Sequence, residues 1–523
     1  QAQSYEEWCN DADFLVQKYE SIYPDFGNST DSAGFYALLE DVKASFDPKN
    51  RDDNIIKLFK LHASLHDAHS IPMVFHPCFD LHSFPLRIHK FREGWFVTDV
   101  LDGYNDLVGM QVVAVQGVPI DDIFEHSDEI IASENLYGKL DRFEMFGIIA
   151  EWLKAEKIIP DIISADFEFA GTDGNKVFRT IQSVPFKDVF SLINMSVIPN
   201  TGNFALFNPR EDFYWYDWDS KTGTLYFQFN AVNNQEGKPT IEDFTADLRK
   251  ILKRKPVKKF IIDLRNNAGG DDSNLPPLLE VIRNSKKINQ YGKLFVITGP
   301  HTFSSGLLFA WQLRMQTEAL FVGEPAAQGP VFNANAEYVF LPNSKIGFTI
   351  SKTSTARNQP HWVFTPPKVL EVDIPVDYSV SDFLQDNDPA LSEIASFNSS
   401  NACDLPRQFP EGRYILSNLH VMELKRIHHT LFMDITDFMN TGLFHVRKRI
   451  CYDEENGIFH DQNNLFTIAP IDHSDNVLKV TYNGEDVEAE RMTEDQMIAF
   501  EAMTLRKYSK AVKLFSANAE EFK

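Results

Sequence analysis

Lys259-Phe260-Ile261-Ile262-Asp263-Leu264-Arg265-Asn266-Asn267-Ala268-Gly269-Gly270 sets an apolar run directly against a polar loop that ends in two glycines. A run apolar at successive positions, rather than at every second one, marks a strand covered on both faces. Similar texture recurs at Thr224–Phe229, Leu294–Ile297 and Ala319–Val322. Helical spacing fills the intervals, over Ile241–Lys253, Pro276–Asn284 and Gly306–Met315. Strands alternating with helices predict a parallel α/β core over residues 201–395.

Residues 1–75 read as an N-terminal helical region, with apolar positions such as Phe14, Leu15 and Tyr19 at helical spacing and Pro24 and Pro48 as punctuation. Residues 76–200 begin with short β-like runs, Phe84–Ile88 and Trp95–Val100. A longer run, Leu107–Ile120, opens near Gly109 and closes on Gly117-Val118-Pro119. It has the texture of a PDZ-like module, whose sheet edge accepts an added peptide strand, or of an ordinary hairpin. A helical stretch from about Glu125 to Lys157 follows. Residues 396–410 form a polar linker. Residues 411–523 read as an extra C-terminal α+β domain of unknown role, with a terminal helix over Thr493–Phe515 and no motif. The predicted fold class is therefore multidomain α/β.

The chain has 523 residues and a formal net charge of −25, which argues against nucleic acid and anionic membrane surfaces as partners. No stretch approaches the ~18 apolar residues of a membrane span. The chain starts at Gln1, with the sequons Asn28-Ser29-Thr30, Asn194-Met195-Ser196 and Asn398-Ser399-Ser400. A leader already removed, secretion and glycosylation at Asn28, Asn194 and Asn398 are the expectations. The cysteines, Cys9, Cys78, Cys403 and Cys451, allow three connectivities; Cys9–Cys78 and Cys403–Cys451 each stay within one region, against the alternative of reduced thiols. The 44 phenylalanines fit aromatic cores, or an apolar ligand cavity.

Three features carry chemistry. Gly269 and Gly270 let a substrate approach the backbone, whose N–H groups can hold an oxyanion. His301-Thr302-Phe303-Ser304-Ser305-Gly306 lies between a strand and a helix, which puts Ser304 at a helix N-terminus; a plain N-cap is the competing reading. His62, His66, Asp67 and His69 cluster before the β-like region, where a neutral histidine could take the proton of Ser304. His62 and His66, four apart, would also suit zinc, but no acidic third ligand is evident nearby, so no metal is assigned and no cofactor is expected.

Together these features resemble the tail-specific, or C-terminal-processing, serine peptidase family. Asp263-Leu264-Arg265-Asn266-Asn267-Ala268-Gly269-Gly270 matches its Asp-Leu-Arg-x-Asn-x-Gly-Gly signature. Thr302–Gly306 matches the nucleophile turn, Val322-Gly323-Glu324-Pro325 the turn that follows, and Asp388–Leu391 the close of the core. The resemblance covers residues 30–395 and implies a ClpP/crotonase-like catalytic core with a PDZ-like module before it. Members with a Ser–Lys dyad carry the lysine just after the Gly-Glu-Pro turn, where this chain has Gly329. The resemblance therefore runs to the Ser-His-Glu branch, which includes the tricorn core, the chlamydial protease-like activity factor and secreted fungal relatives. Asp67-Ala68-His69-Ser70 fits its Asp-x-His-Ser/Thr context. This implies Ser304 as nucleophile, His69 as base, and an oxyanion hole from Gly269, Gly270 and Ser305. The orienting glutamate is expected near 350–365, but Ser351–Thr365 holds no acid, and Glu371 is the nearest later candidate.

The expected function is a secreted serine peptidase with a polypeptide substrate, and a homodimer as a candidate assembly. The alternatives are a lapsed member of the same fold that binds a hydrophobic ligand, as the retinoid carrier of the photoreceptor matrix does, or a non-protease enzyme on that scaffold.

Overall fold

The computed structural model of the chain describes residues 3–24, 26, 32–74, 76, 79–189, 212–355, 364–398, 409–417, 420–427, 430–437, 445–471 and 475–504. The apolar run before Leu264 is the strand Lys259–Asp263, buried at four of its five positions. It lies inside a six-stranded sheet. In chain order the strands of that sheet are β6 (Tyr214–Asp219), β7 (Thr224–Phe229), β8 (Lys259–Asp263), β9 (Leu294–Thr298), β10 (Leu320–Gly323) and β11 (Ile374–Pro375), and they pair in the spatial order β11-β10-β9-β8-β7-β6. All neighbours are parallel except β6, which runs antiparallel to β7.

Three helices cross between these strands: α7 (Ile241–Arg254), α8 (Leu275–Asn284) and α9 (Ser304–Gln316). Thr240 starts α7 with a capping box through Asp243, and the apolar stripe Ile241, Phe244, Leu248 and Leu252 faces the sheet. Apolar side chains cover α9 on nearly every side, because α9 is enclosed by the sheet and by the C-terminal domain.

The N-terminal body consists of helices α1 (Tyr5–Ile22), α2 (Ser32–Ser45) and α3 (Arg51–Ala63) and an antiparallel sheet. Its main strands pair in chain order: β1 (Leu86–Phe91), β2 (Gly94–Val100), β3 (Gln111–Val115), β4 (Ser164–Ala170) and β5 (Lys176–Gln182). The three helices, this sheet and the hairpin Glu337–Phe340/Gly347–Ile350 share one buried apolar cluster. The stretch expected to be helical from Glu125 to Lys157 is instead broken into α4 (Ile120–His126), α5 (Leu136–Phe146) and α6 (Ala150–Ala155). Residues 130–135 thus form a loop, and Asn135 caps α5 through the Gly138 amide.

Two short helices, α10 (Val380–Leu384) and α11 (Pro389–Ser396), close the α/β core. Beyond them, the domain expected as α+β is, among the described residues, a closed antiparallel barrel followed by the helix α12 (Glu494–Thr504). Its strands are β12 (Gly412–Ser417), β13 (His420–Ile427), β14 (Thr430–Asp437), β15 (Val446–Asp453), β16 (Ile458–Asp461), β17 (Phe466–Pro470), β18 (Val477–Tyr482) and β19 (Glu485–Arg491). Tyr414 opposite Arg491 and Ile415 opposite Glu490 close the ring. Alternate residues, including Met422, Leu424, Met433, Ile435, Ile468 and Val480, are buried, as closure of a two-period pattern requires. The apolar residues of the barrel and of the α/β core form a second continuous cluster.

Cys9 is a free thiol, so the expected Cys9–Cys78 bridge is corrected: Cys9 lies part-buried on α1, against the N-terminal core. Cys78 and Cys403 lie outside the described residues, as do Asn28 and Asn194, while Asn398 is exposed.

Candidate active site

The Asp-Leu-Arg segment positions the loop that follows it. Arg265 is fully buried between Asp263 and Asp388: its Nη2 lies 2.7 Å from Asp263 Oδ2 and 2.6 Å from Asp388 Oδ2. Asp388 also caps α11, accepting from the Ala390 and Leu391 amides. The end of β8 is thereby fastened to the close of the core. Asn267 then ties the loop to its neighbours. Its Nδ2 donates to Phe229 O, its Oδ1 accepts from Gly269 N, and its carbonyl accepts from Phe303 N. Thr302 Oγ1 donates to Leu264 O.

These bonds hold the start of α9 against the glycine loop. Ser304 has φ +52°, a left-handed conformation that costs a non-glycine residue about 1–2 kcal/mol and occurs chiefly where the surroundings impose it. Gly269 has φ +105°, and a Cβ there would come within 2.7 Å of Ser304 Cβ and 3.1 Å of Ser304 Oγ. Glycine is therefore required by contact as well as by conformation. Ser305 Oγ donates to Gly270 O, closing the turn on the loop. Of the three expected oxyanion donors, the Gly269 amide is taken by Asn267 Oδ1. Among the described residues, the Gly270 and Ser305 amides have no backbone acceptor.

His69 comes from the turn after α3. Its amide donates to Asp67 Oδ1 at 2.9 Å, an Asx turn, and its carbonyl accepts from Thr349 Oγ1. The ring is sandwiched between Phe303, at 4.4 Å between centroids, and Phe332, at 5.3 Å. Its Nε2 is buried and has no partner among the described residues. Burial, and then the charge of Arg142, push its pKa down to about 3, so the ring is neutral over the working range. No hydrogen bond joins His69 to Ser304 Oγ among the described residues; what links the two segments is Phe303 and Gln328.

Gln328 was not singled out by the sequence. Its Oε1 accepts from Ser304 N at 3.1 Å, its Nε2 donates to Glu134 Oε1 at 2.6 Å, and the same Nε2 lies 3.5 Å from His69 Nδ1. Glu134 was also missed, because it belongs to the loop that interrupts the expected helix. Burial, then the neighbouring Asp67 charge, lift its carboxyl to about 8. Burial likewise raises Asp67, whose carboxylate is held by the His69 amide and by Ser70 Oγ. Glu371 is not brought to His69, which corrects its assignment as orienter. Its side chain is exposed, and its carbonyl accepts from Arg314 at the far end of α9. Gly329 has no room for a side chain, since a Cβ would lie 2.3 Å from Pro367 O.

His62 does not face His66 as a metal pair. It is buried against Tyr19, with Nδ1 bonded to the tyrosine hydroxyl, and burial pushes it down to about 3, whereas His66 is exposed. A cavity of about 470 Å³ adjoins the site, lined in part by Tyr23, Phe35, Leu38, Asp67, Glu134 and Phe332.

No protein-family profile matches the chain, and no curated protein sequence does. Solved structures do. A crystal structure of a CPAF mutant aligns at a TM-score of 0.53 with 12% identity, over 76% of this chain and 99% of that one. Mature CPAF complexed with lactacystin aligns at 0.51 with 13% identity, over 75% and 97%. The photosystem II D1 C-terminal processing protease aligns at 0.36 with 12% identity, over 71% and 93%. What this chain has in common with the two CPAF structures is the fold, a mixed α/β multidomain architecture.

Proposed function

We propose that this chain is a serine peptidase, with Ser304 as nucleophile and His69 as general base. The observation that carries the reading is Ser304 itself. It is a serine held at positive φ at the first turn of a thirteen-residue helix, pressed on Gly269, and its neighbour Phe303 stacks on a buried neutral imidazole whose Nε2 lacks a partner among the described residues. A structural cap does not need that strain: a cap residue sits in the extended region, and Phe303 already occupies it, at φ −142°.

In the proposed reaction Ser304 Oγ attacks the peptide carbonyl while His69 takes its proton. The Ser305 and Gly270 amides receive the oxyanion at the positive end of α9. His69 returns the proton to the leaving amine, and water then repeats the cycle on the acyl-serine. The six-stranded core fits a ClpP/crotonase-like catalytic domain, and the antiparallel sheet β1–β5 fits a PDZ-like module that binds substrate at an edge. Secretion, glycosylation at Asn398 and a Cys403–Cys451 bridge belong to the same reading.

Fluorophosphonate labelling followed by peptide mapping tests it. An adduct on Ser304 in the folded chain, abolished in His69→Ala, is the expected result. A folded chain that stays unlabelled defeats the reading. One observation favours a second reading, a binder of an apolar small molecule: the cavity beside the site carries Tyr23, Phe35, Leu38 and Phe332 on its walls. An apolar ligand that co-purifies and is bound equally by Ser304→Ala would support it.

A further inference from the structure

Asp67, His69 and Glu134 come from two loops that are far apart in sequence, and each offers one nitrogen or oxygen atom within 4.8 Å of the other two. Two of their polar atoms are left unsatisfied. His69 Nε2 and Glu134 Oε2 are shielded from solvent and, among the described residues, have no hydrogen-bond partner. Buried polar atoms without partners are uncommon, and each is costly. Neither carboxylate has an ion pair among the described residues. Arg142, whose charge acts on His69, stands over the Phe303 ring at 5.1 Å and donates to Ala68 O.

We infer that Asp67, His69 and Glu134 form a binding site for a divalent transition-metal ion of the zinc type, and that the ion switches the hydrolytic site off. One imidazole and two carboxylates are donors that such an ion accepts, with water completing four-coordination. Bonds of about 2.0–2.2 Å place tetrahedral ligands about 3.3–3.6 Å apart, so the three side chains need to close by at most about 1.5 Å. Glu134 can bind through Oε2 while Oε1 keeps its hydrogen bond from Gln328. Asp67 is already oriented by the His69 amide and Ser70 Oγ, the outer bonds that fix a metal-ligating carboxylate.

The consequence for the base does not depend on which ring nitrogen binds. A neutral imidazole has one nitrogen with a lone pair and one with a proton. The metal takes the lone pair. The remaining N–H cannot accept the Ser304 proton, so hydrolysis stops until the ion leaves. This regulatory role rests on the assignment of His69 as base, whereas binding of the ion does not.

Two measurements on the full chain, first stripped with chelator, separate these points. Calorimetric titration with zinc chloride is expected to show one site, with affinity at least about tenfold weaker in Glu134→Gln and in Asp67→Asn. Zinc should also raise the melting temperature of the unaltered chain and not that of Glu134→Gln, which controls for misfolding of either variant. Fluorophosphonate labelling of Ser304 is expected in the stripped chain, to be lost on saturation with zinc, and to return with chelator. No zinc binding, or equal binding by both variants, overturns the site. Binding with labelling undiminished overturns the switch. A stripped chain that binds zinc but never labels leaves the site standing and removes the peptidase reading instead.

Discussion

Gln328 faces the ring nitrogen from which a catalytic histidine is normally steered. An amide at 3.5 Å from Nδ1 presents a donor, and a donor there favours the tautomer with the proton on Nε2, the wrong one for a base. A carboxylate would do the reverse. The double variant Gln328→Glu with Glu134→Gln exchanges amide and acid across one existing hydrogen bond. We expect at least about tenfold faster labelling of Ser304, set against the roughly 10⁴-fold that loss of an orienting acid costs a triad protease. The acid limb of the pH–rate profile should also move up from near 3, because a carboxylate beside Nδ1 favours the protonated ring. A rate change with the limb unmoved would mean only a packing effect. The glycine opposite offers a converse test. In Gly269→Ala the new methyl meets Ser304 at 2.7 Å, and labelling should fall by about 10²-fold, the scale of a 1 Å misplacement, with the far-ultraviolet dichroism unaltered.

The elements that hold this site were legible to different degrees. Strands β7 to β10 and helices α7 to α9 fall within one or two residues of their expected bounds, because an apolar run between polar breaks is a local signal. Ser304, Ser305, Gly269 and Gly270 also fall together, since each belongs to a motif read from consecutive residues, whereas His69 is linked to them only through Phe303 and Gln328. Glu134 and Gln328 were not legible: their meaning comes only from a contact across 194 positions of sequence. Gly147 and the 130–135 loop broke a stretch whose composition reads as one helix, and that hid Glu134. Arg265 shows the opposite case, a motif residue whose role is mechanical. It joins β8 to α11 through Asp388, and Asp388→Asn keeps the cap acceptor while removing half of the buried countercharge. Breaking a buried ion pair costs about 3–5 kcal/mol, so the denaturation midpoint of the chain should drop accordingly. Little or no change would show that Asp263 alone suffices for Arg265.

Across the whole molecule, the barrel is the part the sequence read least well. Its strands were visible, but ring closure is a non-local property set by the pairing of β12 with β19. Its position gives it a role in the core. Lys448, fully buried in β15, donates to Thr317 O at the end of α9, and the Arg449 amide donates to Glu318. Lys448 also faces Asp461 at 4.0 Å. The helix that begins at Ser304 is thus fixed at its far end by the barrel, and its sides lie in an apolar cluster that both domains share. If the two domains form one cooperative unit, damage at Lys448 must reach α9. Lys448→Ala leaves Asp461 and Glu318 short of a countercharge, at a cost of about 3–5 kcal/mol. Amide hydrogen exchange should then quicken over residues 304–317 as well as over β15. Faster exchange confined to the barrel would mean that the barrel opens by itself, and that α9 owes its position to the α/β sheet alone.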